Sequence, residues 1–363
     1  MSTTGAPAEA AARPLTPRVR PSIAIGVVGC GHWGKNHIRV FQTLPEVTVR
    51  GVAEADAQQL EQVCQLNPSV RGASDHRHLL QDPEINAIVI ATPTSTHFEI
   101  ARKALMAGKH VLCEKPLCLS SGEAGALLDI VRERGNLVLM AGHVFLFNPG
   151  VRRVKTVIDT GELGVVQYLS AVRTNLGPIR SDVNAAYDLA AHDIAVFNWL
   201  LGAEPVSVSA TGASYVQAGV QDVAFISLTY PGKVLGSIEV SWLSPKKVRE
   251  MTVVGTRQMV TWNDMDVSTP VAIYDKGADG GQEPANFGEF QSVKMWDGDV
   301  RLPKVPLAEP LRSQAEEFLG AIRDGRPTGS NAEFAAGVVR VLEAATESMR
   351  RGGEPRRLGA AGG

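Results

Sequence analysis

Residues 23–34 read IAIGVVGCGHWG. Ile23, Ile25, Val27 and Val28 make a short, nearly continuous apolar run, the pattern of a strand covered on both faces. Gly29-Cys30-Gly31-His32-Trp33-Gly34 completes the stretch, and a helical pattern then runs to Leu44 and stops at Pro45. The order is strand, glycine turn, helix. In such a turn Gly29 permits the tight reversal, Gly31 lets backbone amides approach a pyrophosphate with no Cβ in the way, and Gly34 lets the helix sit close to the strand. The free amides at the helix start then face the phosphates. A second strand, Val47 to Ala53, ends in Glu54. An acidic side chain there accepts hydrogen bonds from both ribose hydroxyls and repels a 2′-phosphate, so the turn is predicted to take NAD in preference to NADP. The plainer reading makes Glu54 a cap for the next helix, with Asp56 or neither as the ligand.

Outward from this turn, further strand-helix units follow. Asn86 to Thr92 reads as a buried strand, Thr96 to Ala107 as a helix closed by Gly108, and His110 to Cys113 as another strand. Ser120-Ser121-Gly122-Glu123 has the form of a capping box for a helix to Arg134, ended by Gly135 before the strand Leu137 to Ala141. The sheet is therefore expected to be parallel and doubly wound, with ligands gathered beyond its strand C-termini. Thr92-Pro93-Thr94, Glu114-Lys115-Pro116 and Gly142-His143 all fall at that edge.

Lys115 follows an apolar strand and precedes a proline, which stiffens the backbone and points the amine across the crevice. There it can donate to a substrate hydroxyl or carbonyl oxygen. A surface lysine paired with Glu114 is the bland alternative. A second constellation is Tyr187-Asp188-Leu189-Ala190-Ala191-His192-Asp193, followed by an apolar helical stretch to Leu201. On a regular helix Asp188 and His192 stack on one face, so the carboxylate can orient the imidazole. No third ligand lies close in sequence, so no metal is expected, and a satisfied core histidine is the alternative for His192. Arg173, Asn175, Arg180, Asp182 and Asn184 cluster just before this helix. Arginine pairs planar oxyanions, so Arg173, Asn175 and Arg180 are read as substrate contacts to a phosphate or carboxylate, or else as ordinary sheet-edge charges.

The segments GCGHWG, ATPTSTHFEIARKALMAGKHVLCEKPL, GHVFLFNP and DLAAHDI together resemble the glucose–fructose oxidoreductase, inositol dehydrogenase and MocA family, nearest its branch of nucleotide-sugar 3-dehydrogenases and antibiotic-sugar ketoreductases. The resemblance implies a Rossmann domain followed by an α/β domain with a large, mostly antiparallel sheet that carries subunit contacts in homodimers or homotetramers. It places the catalytic lysine on Lys115, the aspartate on Asp188 and the histidine on His192, with Tyr187 as a reserve acid/base group. It places Thr92, Pro93, Thr94 and His97 against the nicotinamide half of the cofactor. His32, Trp33 and Gly34 fall at its pyrophosphate turn, and Glu114 and Lys115 beside it. The implied activity is hydride transfer between a secondary carbinol of a nucleotide-linked or anionic sugar and NAD. The alternatives are an inositol or free-sugar dehydrogenase and a non-catalytic NAD-binding regulator.

From Val165 onward strand signals repeat: Val165 to Thr174, Val206 to Ala213, Asp222 to Tyr230, Val234 to Trp242 and Val248 to Val254, with hairpin turns at Pro231-Gly232 and Gly255-Thr256-Arg257-Gln258. Residues 264–305 read as an irregular arm or loop, helices Ser313 to Ile322 and Ala332 to Met349 close the domain, and the resemblance implies that the chain then passes back toward the first domain. The organisation expected is a disordered leader over 1–21, a Rossmann domain over 22–143, a substrate and oligomerisation domain over 144–350, and a flexible tail over 351–363. The whole is 363 residues with 36 basic and 38 acidic side chains, 44% apolar and 20% charged, which argues against wholesale disorder and against a nucleic-acid partner. No apolar run approaches the length of a membrane span, and the four cysteines form no disulfide framework or zinc pattern. Reduced thiols and a cytoplasmic location are expected.

Overall fold

A computed structural model describes residues 22–279 and 294–359; the expected leader lies outside them. Ile23–Val28 forms β1, whose side chains are almost all buried, and Gly29 turns the chain with φ +90° into helix α1, His32–Gln42. Strands β2 (Val47–Ala53), β3 (Arg71–Ala73), β4 (Ala87–Ile90), β5 (His110–Cys113) and β6 (Leu139–Ala141) complete a six-stranded sheet. Its order is β3-β2-β1-β4-β5-β6 and every pairing is parallel. The connecting helices are α2 (Ala57–Leu66), α3 (Arg77–Gln81), α4 (His97–Met106) and α5 (Ser121–Arg134). Local chemistry sets their ends. The Ser120 hydroxyl accepts from the Glu123 amide at 3.2 Å, Glu123 reaches back to the Leu119 amide at 3.0 Å, and Gly135 closes α5 in the left-handed region at φ +69°. The Lys115–Pro116 peptide bond is cis.

The second layer begins with α6 (Pro149–Asp159), capped by Asn148 Oδ1, which accepts from the Gly150 and Val151 amides. It contains β7 (Val166–Leu176), α7 (Ala191–Leu201), β8 (Ser207–Ala213), β9 (Val223–Thr229), β10 (Leu235–Ser241), β11 (Leu243–Gly255) and β12 (Met259–Asn263), then β13 (Val271–Asp279) and β14 (Lys294–Arg301). The nine-stranded sheet runs β14-β13-β12-β11-β7-β10-β9-β8-β15, with β15 at Arg356–Arg357. Only β10 with β7 is parallel, which makes the sheet mostly antiparallel as the sequence pattern anticipates. One face packs on helices around a core that includes Phe197, Leu228, Ile238 and Val253. The other shows Tyr168, Phe225 and Leu235 to solvent.

Two expectations are corrected. The supposed irregular arm contains β13 and β14; they form the sheet's edge, where Val271 and Ile273 supply the buried positions and Asp275, Asp297, Gly298 and Asp299 face water, so the strand period is masked in composition. The supposed free tail pairs Arg356–Arg357 with β8, anchored where Ser348 Oγ donates to the Glu354 carbonyl at 2.7 Å. The last helices, α8 (Pro310–Asp324) and α9 (Ala332–Arg350), bring the chain back to the first layer, as the resemblance implies. Ser330 and Ala141 exchange hydrogen bonds at 3.0 and 2.9 Å, and Ala332, Ala335, Ala336 and Val339 enter the core beside α5 and β6.

Candidate active site

The glycine turn has the shape its sequence implies. A Cβ on Gly29 would lie 2.6 Å from the Ala91 carbonyl oxygen, and one on Gly34 would lie 1.9 Å from the Gly29 oxygen, so neither position admits a side chain. A Cβ on Gly31 would meet nothing within 4 Å: the space above it is free of protein. Helix α1 has no side-chain cap, which leaves its first amides available to an anion. At the end of β2, Glu54 accepts from the Cys30 amide at 2.7 Å through Oε2 and from the Asp56 amide at 3.1 Å through Oε1. Each oxygen keeps a lone pair for a ribose hydroxyl. Asp56, the alternative ligand, caps α2 by accepting from the Gln59 amide at 2.9 Å. These residues fit a dinucleotide with a free adenosine ribose.

Beyond the turn a cleft of about 730 Å³ opens between the two layers. His32 and the partly exposed Trp33 form its near wall, Phe145 and Trp262 its base, and Val305 to Leu311 its rim. Lys115, Asp188 and His192 all face into it. The Lys115 ammonium donates to the Asp188 carbonyl at 2.6 Å and to Asp188 Oδ1 at 3.2 Å, which leaves one of its three protons for another oxygen. Burial alone would raise the Asp188 pKa, but Lys115 and Arg180 overcome it and hold the carboxyl below its usual range.

Asp188 does not orient His192. Its Oδ1 accepts from Lys115 and from Arg180 Nη1 at 3.2 Å, and its Oδ2 from Trp242 Nε1 at 3.1 Å. The physical reason is a π-helical turn over Ala186–Ala190, wider than an α-turn, so residues four apart no longer stack. His192 Nδ1 is buried without a partner, which leaves Nε2 as the nitrogen toward the cleft. Its ring meets Phe145 edge-on at 4.9 Å. Burial, with the charges of Lys115 and Arg173, pushes the His192 pKa far below the ordinary histidine value, so the ring is neutral at pH 7, the form that accepts a hydrogen bond from a hydroxyl, and a weaker base than a free imidazole.

Other expected contacts are redirected. Tyr187 points away from the cleft: its hydroxyl donates to the Leu119 carbonyl at 2.8 Å, and burial raises its pKa beyond use as an acid or base. Arg173 is buried and bidentate to Asp193 at 2.8 and 2.8 Å, and Arg180 is bound by Asp182 and Asp188, so neither is a free oxyanion receptor. Asn175 lines the cleft. Thr94 is buried; its amide donates to Asp182 Oδ2 at 3.2 Å, while Thr92 and Pro93 keep accessible surface at the sheet edge. His97 is a buried strut whose ring nitrogens lie 2.9 Å from the Thr92 and 2.8 Å from the Pro116 carbonyl oxygens, tying the two turns together. Glu114 faces inward too: its Oε1 lies 2.8 Å from His37 Nε2 and its Oε2 accepts its neighbour's amide at 3.2 Å.

Four features escape sequence reasoning. Trp242 reaches Asp188 from β10's end, and Arg249 from β11 bonds Asp264 Oδ2 at 3.1 Å, both pairings across long separations. Arg39 on α1 pairs with Glu309 before α8 at the rim. His143 is 2% exposed with both ring nitrogens unpartnered, and burial, reinforced by Lys115 and opposed by Glu114, lowers its pKa to about 4. Only its place after β6 hinted at the site.

Residues 23–143 match the family model described as an oxidoreductase family with an NAD-binding Rossmann fold, and residues 151–261 match the GFO/IDH/MocA C-terminal domain. UDP-N-acetylglucosamine 3-dehydrogenase of Acidithiobacillus ferrooxidans is 32% identical over 89% of this chain and 95% of its own length. Inositol 2-dehydrogenase 2 of Saccharopolyspora erythraea is 32% identical over 60% of this chain and 66% of its own. The crystal structure of GenD2 from gentamicin A biosynthesis in complex with NAD superposes with a TM-score of 0.78 at 26% identity, covering 96% of this chain and 100% of that one. With the glycine turn, the parallel sheet and the antiparallel second sheet in place, the chain belongs to the GFO/IDH/MocA family of NAD-binding oxidoreductases.

Proposed function

We propose that the chain oxidises a secondary carbinol of a sugar or cyclitol with NAD, and reduces the ketone in reverse, with His192, Lys115 and Asp188 as its working residues. The observation that carries this reading is the meeting of the Lys115 ammonium and the neutral His192 imidazole in one cleft beside the glycine turn. His192 Nε2 takes the hydroxyl proton as the carbinol becomes a ketone. Lys115 donates its remaining proton contact to the same oxygen and stabilises charge that develops there, a contact that accelerates only if it strengthens in the transition state. Asp188 positions the ammonium through a backbone and a side-chain oxygen. NAD, when bound, supplies the hydride acceptor; Glu54 and the amides above Gly31 hold its adenosine and pyrophosphate ends.

The exposed Tyr168, Phe225 and Leu235 on the open sheet face support a homo-oligomer. Four free cysteines, and no helix long and apolar enough to cross a membrane among the described residues, are consistent with a cytoplasmic location. The test of the catalytic reading is Lys115→Met. NAD affinity by fluorescence titration is expected within about threefold of the parent, while turnover falls by a factor on the order of a thousand. Turnover retained within tenfold removes Lys115 from the mechanism.

A further inference from the structure

The charges of the cleft bear on what the substrate ring carries. Each cation lining it already faces a carboxylate: Lys115 faces Asp188, Arg39 faces Glu309, Arg173 faces Asp193 and Arg249 faces Asp264. Asp266 adds a fifth carboxylate, with its oxygens accepting from Ser268 and Thr269. The lysines nearest the lining in sequence, Lys35, Lys246, Lys247 and Lys304, are exposed and stand outside it.

By hydrogen bonds Arg249 is the least committed of the four, with one where Lys115, Arg39 and Arg173 each make two. Its side chain is 34% exposed and meets Asp264 through one nitrogen at 3.1 Å, whereas Arg173 is buried and bound through two. Asp264 is held in turn, because its Oδ1 accepts from Asn148 Nδ2 at 3.0 Å and its own amide donates to the Arg249 carbonyl at 2.9 Å. An anion entering the cleft would have to displace a carboxylate from its cation or lie beside it.

We propose that the cleft selects an uncharged polyhydroxylated ring, a sugar or cyclitol without carboxylate or phosphate, and that Asp264 determines this by occupying Arg249. The inference rests on the oxidoreductase reading and narrows it. Specificity of this kind arises as much from the unfavourable placement of the wrong charge as from attraction to the right partner.

The test uses the full chain with NAD and follows reduced-cofactor absorbance with myo-inositol, glucose, glucuronate and UDP-N-acetylglucosamine. The uncharged compounds are expected to exceed their anionic counterparts in kcat/KM by at least about tenfold. Asp264→Asn keeps an acceptor for Asn148 and frees Arg249, and should raise the anion-to-neutral ratio by about tenfold through KM for the anion. A ratio is read so that partial misfolding, monitored by NAD binding, cancels; if the variant does not bind NAD, the parent's preference alone decides. A parent that favours glucuronate or the nucleotide sugar, or a folded variant with an unchanged ratio, overturns this inference and leaves the oxidoreductase reading standing. No turnover of any compound by protein that binds NAD overturns both.

Discussion

His143 offers a perturbation whose size follows from its surroundings. The unfolded chain protonates this imidazole near 6.5, whereas the folded protein resists until about 4 because the ring is buried and the ammonium of Lys115 lies near it. Between those values the unfolded state holds more protons, so stability falls as the pH drops from 6.5 toward 4 and is fully present above 6.5. At pH 5 the loss amounts to about 2 kcal/mol from this residue, and at pH 7.5 it is negligible. His143→Phe removes the titration and the two unpartnered nitrogens while keeping an aromatic edge against Phe334, whose ring lies 5.8 Å away at 88°. The other histidines are common to both proteins and drop out of the comparison. Urea unfolding followed by tryptophan fluorescence at pH 7.5 and 5.0 should therefore show the parent losing about 2 kcal/mol more than the variant across that interval. Equal losses in the two proteins would refute a buried, neutral His143.

Replacing Glu54 by Asn should lower the NAD-over-NADP preference in kcat/KM by at least about tenfold, since the repulsion toward a 2′-phosphate goes with the charge; an unchanged preference removes Glu54 from the ribose site. Tyr187→Phe should leave kcat within about twofold and cost about 1 kcal/mol in urea unfolding, the value of a hydrogen bond whose carbonyl partner loses its donor. A hundredfold fall in kcat would return Tyr187 to the chemistry. Asp193→Ala strands the Arg173 charge in the interior and should destabilise the fold by about 3–5 kcal/mol, readable as a lower urea midpoint. A loss under about 1 kcal/mol would mean that water or another carboxylate reaches Arg173.

What the sequence made legible was local and covalently contiguous. The glycine turn, the strand that ends in Glu54 and the Ser120 cap each involve residues within one or two elements, where spacing dictates geometry. Lys115 was legible because a strand end and a proline constrain the backbone beside it. Burial and pairing between distant segments were not. Arg173 and Arg180 carry the residue type that binds anions, and nothing in their spacing tells that Asp193, Asp182 and Asp188 fold against them. The edge strands Val271–Asp279 and Lys294–Arg301 escaped because a solvated strand with one buried face needs few apolar residues.

The π-helical turn reorders the roles that an i, i+4 pattern suggests. On a regular helix one carboxylate would serve the histidine and raise its basicity. Here Asp188 is spent on Lys115, Arg180 and Trp242, and His192 is left among cations with a buried, unpartnered Nδ1. In the proposed mechanism this is a division of labour: a carboxylate kept charged to hold an ammonium, and a neutral imidazole that accepts from the substrate hydroxyl. The two states sustain each other, because the ammonium fixed by Asp188 is among the charges that keep His192 unprotonated. Lys115 comes from the end of β5 and all of its side-chain partners from the segment before α7, so this arrangement exists only when the two layers are packed together. The proposed nucleotide site around Gly31 and Glu54, by contrast, is built from the first layer alone, and that asymmetry is why loss of Lys115 should separate cofactor binding from turnover.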